Sequence, residues 1–169
     1  MLKSLLIGAG VALLTAMPAL AACTEIKSAT IALSGCVDSE WVKSEGTGAQ
    51  EFVFLTSDQN FGLMVITEKD PIPSAQFRQA IIANAVTGSG GTEADIKVVR
   101  ERIVSIGDQP FNVIEYTIPN SGNPILFQNF YYSAPGFGSM QILAYSLETD
   151  AVASAYRAGV FASTVKLGG

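Results

Sequence analysis

The sequence predicts a single α+β domain, an antiparallel β-sheet with flanking helices. Three observations carry this. The apolar period changes from two to 3.6 at residue 74 and returns to two at 96. Between 96 and 146 strand-like runs are separated by tight turn chemistry, which makes consecutive strands antiparallel neighbours. A second helical period follows Thr149-Asp150.

Taken in order, Ser28-Ala-Thr-Ile-Ala-Leu33 is a short strand candidate. A polar, glycine-bearing segment with the only tryptophan, Trp41, comes next. Residues 51–56 and 61–68 flank Ser57-Asp58-Gln59-Asn60 and read as a hairpin. Asp70-Pro71-Ile72-Pro73 breaks the chain, Ser74 stands where an N-cap would, and Phe77, Ile81 and Ala85 define a helix over 75–86. Gly88-Ser89-Gly90-Gly91 ends it, and without a following lysine this run is a loop, not a phosphate cradle. Strands are predicted at 96–106, 112–118, 124–133 and 139–146. A last helix over 150–160 presents Val152, Ala155, Tyr156, Gly159 and Val160 as one apolar stripe, and the chain then frays.

The first residues form a different class of segment. Lys3, an apolar run from Leu5 to Leu14 and the small-residue zone ending at Ala22 read as a signal peptide over 1–22, leaving 23–169 as the domain. The run is shorter than the ~20 residues that span a bilayer. Ala19-Leu20-Ala21 fits cleavage by an ordinary signal peptidase. Leu20-Ala21-Ala22-Cys23 resembles a bacterial lipobox, which would put a lipid on Cys23. If Cys23 escapes lipid, it can pair with Cys36 in an oxidising compartment. The expected location is therefore the periplasm or outside the cell, or the envelope surface through a lipid anchor.

Charge and composition exclude several functions. A formal charge of -5 with 10 Lys and Arg leaves no footprint for nucleic acid or anionic lipid. There is no histidine, so the His-based nucleophile, general-base and metal arrangements are absent. Asp38, Glu40 and Glu45, or Glu93 and Asp95, could in principle supply a carboxylate pair, but their spacing is no calcium loop. Arg100 and Arg102 alternate onto one strand face. No catalytic residue, cofactor or metal ligand is expected.

The aromatics are the more suggestive group. Alternation sends Phe127 and Tyr131 to one face of their strand and Phe130 and Tyr132 to the other, with Phe137 on the next turn. A strand loaded on both faces is either covered twice or offers one face to a partner. Tyr131, Tyr132 and Phe137 are accordingly candidate interface residues, with at least one expected to be exposed.

The layout resembles the PsbP-like α/β sandwich shared by photosystem oxygen-evolving subunits, a Ran-binding nuclear-import factor and the DcrB-like envelope proteins. The matching features are the early strand at 28–33, Trp41, the Phe52–Thr67 hairpin, the helix around Phe77-Arg78, the long strands from Ile96 to Tyr145 and the closing helix. The Pro-x-x-Trp usual in that family is absent, since Cys36-Val37-Asp38-Ser39-Glu40-Trp41 stands there. The resemblance implies a non-enzymatic binding or assembly protein, acting on another envelope protein, with no catalytic residues to carry over. The alternatives are a carboxylate-dependent hydrolase and a small-ligand carrier using a pocket between sheet and helix.

Overall fold

A computed structural model describes residues 23–168; the segment read as a signal peptide lies outside the described residues. Ten strands and two helices follow one another as β1 (Thr24–Lys27), β2 (Leu33–Val37), β3 (Trp41–Ser44), β4 (Gln50–Thr56), β5 (Phe61–Glu68), α1 (Ser74–Ser89), β6 (Lys97–Ile106), β7 (Gln109–Ile118), β8 (Ile125–Ala134), β9 (Gly138–Leu147), α2 (Ala151–Thr164) and β10 (Lys166–Leu167). Seven strands form one antiparallel sheet in the order β3-β4-β5-β9-β8-β7-β6, and β1-β2-β10 form a second. The hairpin of β4 and β5 and the run from β6 to β9 stand as the sequence predicts, each strand beside the next.

Both faces of the large sheet are covered. Leu63, Val65, Phe111, Val113, Phe130 and Ile142 pack on one side with Phe161 of α2 and Leu33 and Val37 of the small sheet. Ile114, Tyr116 and Tyr131 pack on the other with Phe77, Ile81, Ile82 and Ala85 of α1. Pro71-Ile72-Pro73 leads into α1 over the sheet. The Ile72 amide donates to Ser133 Oγ at 2.8 Å and Ser139 Oγ at 2.9 Å, and Ser139 Oγ donates to the Asp70 carbonyl at 2.7 Å. Arg78 ties the helix to Glu101 of β6 at 2.6 Å.

Several local expectations are corrected. Residues 28–32 are not a strand: the Thr30 and Ile31 amides donate to Ser28 Oγ, and Glu51 accepts from Ser28 Oγ and the Ala29 amide. Such side-chain bonds compete with a strand ladder, and pairing falls to either side, in β1 and β2. The polar segment around Trp41 contains β3, with Trp41 buried. Pro73, not Ser74, occupies the N-cap position of α1, and the helix runs on to Ser89, where Gly90 takes the left-handed cap at φ 66°. The frayed end is instead β10, whose Leu167 pairs with Leu33 of β2.

The largest correction is the rotation of α2. Its buried residues are Ser154, Ala158, Phe161 and Ala162. The apolar stripe read from the sequence faces solvent, with Val152 87% and Tyr156 72% exposed. Small residues let the helix lie close to the sheet while Phe161 alone fills the gap. Arg157 fixes the roll, stacking 4.3 Å over the Phe61 ring and donating to Glu40 at 3.1 Å.

Cys23 and Cys36 form a disulfide across β1 and β2, 13 residues apart. Thr164 Oγ1 braces the same point, accepting from the Cys36 amide and standing 2.9 Å from its carbonyl. A sulfur in this bond cannot carry a lipid, so the structure holds one of the two fates read for Cys23. Loop-closure entropy over this separation contributes about 3 kcal/mol. Cys36→Ala should therefore lower the unfolding free energy by roughly that amount, read by urea titration; an unchanged midpoint would contradict a stabilising bridge.

Candidate functional site

Because α1 lies across β7 and β8, the other half of its sheet face is incompletely roofed. The gap is a cleft of about 780 Å³ between the C-terminal half of α1 and the floor made by β4, β5, β9, β8 and β7. Ile81 and Ala85 form its helix wall, and Ile66, Leu143, Phe127 and Ile125 its floor. Tyr116 and Phe127 stack at 5.3 Å, and Phe127 meets Tyr145 at 5.8 Å, so three rings cross adjacent strands. Tyr145 in turn lies over Gly62, where a Cβ would stand 2.0 Å from its ring. Only glycine permits that overlap.

Polar groups interrupt this apolar floor. A bulge in β4 pairs Gln50 with Ile66 and Phe52 with Val65. The extra residue turns Gln50 toward the cleft, while Glu51 bonds to Ser28 and Thr67. Gln50 Oε1 is buried and accepts no hydrogen bond among the described residues. Gln141 lines the cleft and donates through Nε2 to Asn129 Oδ1. Asn129 is 0% exposed, and its Nδ2 closes no hydrogen bond among the described residues. Burial raises the Tyr116 hydroxyl pKa, and the neighbouring Asn129 side chain partly opposes this. Buried amide groups without partners are costly. Among the described residues, no Asp, Glu, Lys or Arg lines the cleft.

The residues singled out in the sequence lie elsewhere. Tyr131 is buried under α1, 5.1 Å from the Phe77 ring. Tyr132 is half-buried, stacked on Phe111 at 5.2 Å with its hydroxyl donating to Gln109 at 2.8 Å. Phe137 is half-buried edge-on to Tyr132 at 5.4 Å. The exposure expected of at least one ring is thus not found; the second face is met by α1 and the turns. Asp38 accepts from the Glu40 amide, Glu40 pairs with Arg157, and Asp95 accepts from the Thr92 amide and hydroxyl. Gln50, Asn129 and Gln141 were missed. Their signal was present: Asn129 and Gln141 interrupt strands otherwise rich in aromatic and aliphatic residues.

Arg100 and Arg102 do share a face, and both bond to Glu115, which is 4% exposed. Burial pushes the Glu115 carboxyl up, but the hydrogen bonds from Arg102 and Arg100 outweigh it and hold the pKa below 4.5.

No protein-family model matches the chain, and no curated protein matches it by sequence. Solved structures do match in fold. The solution structure of cyanobacterial PsbP (CyanoP) from Synechocystis superposes with a TM-score of 0.61 at 14% identity, covering 88% of this chain and 94% of that one. LpqN of Mycobacterium tuberculosis, described as involved in cell envelope biogenesis, gives 0.54 at 11% identity over 86% and 90%. A Bacteroides thetaiotaomicron structure gives 0.55 at 13% identity, with 86% of this chain covering 48% of that one. The chain has a PsbP-like α+β fold.

The Glu115 cluster has a defined pH signature. A carboxylate with a depressed folded-state pKa stabilises fully above its unfolded value and loses that contribution as pH falls through the folded value. The melting temperature should fall below about pH 4.5, and Glu115→Gln should flatten that part of the fall. An identical acid limb in both proteins would contradict the assignment.

Proposed function

We infer that this is an exported, non-enzymatic protein that works by binding, with the cleft beside α1 as its binding site. The observation that carries this is the unroofed apolar floor edged by uncharged polar side chains. Its size suits a small molecule. Export is supported by the leader-like residues 1–22 and by a disulfide that suits an oxidising compartment. The non-enzymatic reading is supported by Asp38, Asp95, Glu40 and Glu115, which are engaged in turns and ion pairs, and by a cleft that no described carboxylate lines. That arrangement argues against the hydrolase alternative.

A second reading is favoured by a separate observation. Val152 and Tyr156 give α2 an outward apolar stripe, and a protein partner of the envelope would cover it there, rather than at Tyr131, Tyr132 or Phe137.

Native mass spectrometry of the protein recovered from its own cells tests both processing and binding. The chain should begin at Ala22 or Cys23 and carry a retained small-molecule mass. Gly88 lines the cleft and has open space where its Cβ would be. Gly88→Trp should reduce that retained mass at least about tenfold, equivalent to about 1.4 kcal/mol, with an unchanged melting temperature. No retained mass, together with a partner lost on Tyr156→Ala, would replace the cleft by the α2 face.

A further inference from the structure

The chemistry of the cleft narrows what it can hold. Charged ligands lose hydration on entering a pocket and need a charged or densely polar partner to offset that loss. Among the described residues this lining offers none. The field at its mouth is also not neutral toward anions. Thr87, Gly88 and Ser89, which line it, belong to the last turn of α1, where the helix dipole is negative and no basic residue stands. An anionic head would meet partial negative charge there. The polar side chains that line it are uncharged, and Thr47, Gln50, Asn84 and Asn120 among them both donate and accept. They call for an uncharged head that can do both. The remaining surface, from Ile66, Leu143, Phe127 and Ile125, calls for an apolar body.

Resting on the reading of the cleft as the binding site, we propose that its ligand is a neutral amphipathic molecule with an apolar chain or ring and an uncharged head that exchanges hydrogen bonds through hydroxyl or amide groups. The apolar body lies along the β5-β9-β8 floor, and the head sits between Gln50 and the end of α1. The aromatic row from Tyr116 to Phe127 supplies a flat wall along which such a body can slide without a fixed polar register.

Three probes of equal chain length separate the head groups: a monoacylglycerol, the corresponding fatty acid and the corresponding alkylammonium, titrated calorimetrically below their micelle concentrations. The monoacylglycerol should bind at least about tenfold more tightly than either charged probe. Gly88→Trp should abolish its binding, and Asn84→Trp, exposed on the same helix and lining the same cleft, serves if the first variant loses stability. Asn84→Lys should raise fatty-acid affinity by about threefold while leaving the neutral probe within about twofold, because a single exposed charge contributes only weakly. Equal or tighter binding of a charged probe, lost in Gly88→Trp, would overturn the ligand class and leave the cleft standing. Binding that neither tryptophan variant disturbs, or no binding of any probe, would overturn the cleft itself.

Discussion

Strand β8 turns Leu126, Phe130 and Tyr132 to one side of the sheet and Phe127, Asn129 and Tyr131 to the other. With β7 and β9 hydrogen-bonded on either flank, neither face can be left to water without exposing several large rings. Two covering layers are therefore required. The chain supplies them unequally: α2 with the β1-β2-β10 sheet on one side, and α1 with Ile72 and Ile96 beside it on the other. A 16-residue helix is about 24 Å long and covers only part of a seven-stranded sheet. The cleft is what remains of that face.

The two layers are held by different means. On the α2 side small side chains let the elements approach closely, and Phe161, Arg157 and the disulfide fix the helix, its roll and the N-terminal strand. On the α1 side the Pro-Ile-Pro strap is pinned to Ser133 and Ser139, and Arg78 holds β6. These anchors lie toward the start of α1, leaving its C-terminal turn over the cleft. The polar groups of the floor belong to the sheet, whose geometry is set by long continuous pairing. A bulge at Gln50 interrupts that pairing at the edge of the opening.

Much of this was legible in the sequence. The change of period at Ser74, the turn chemistry between β6 and β9, and the alternation of Phe127, Phe130, Tyr131 and Tyr132 give the large sheet and its two-faced central strand. The short strands β1, β2, β3 and β10 were not legible in place, because two to five residues cannot declare a period and β10 pairs with β2 from the far end of the chain. The face of α2 was misread for a specific reason. Its larger apolar residues Val152 and Tyr156 point outward, while Ser154 and Ala158 are buried, so the reading of its apolar stripe selects the wrong side. A pocket between sheet and helix stood among the alternatives, but its place and lining were not legible, for a related reason. It depends on how far α1 reaches across the sheet, which no local pattern records, although Asn129 and Gln141 marked the strands on which its polar groups stand.

The account depends on the α1-side cleft, and not another surface, receiving the ligand. Backbone amide shifts followed by NMR during titration with a neutral monoacylglycerol test this most directly. The account predicts perturbations concentrated at Gln50, Ile66, Gln141 and Leu143 and along Asn84–Ser89 of α1, with Val152 and Tyr156 of α2 unmoved. Perturbations confined to α2 would contradict it.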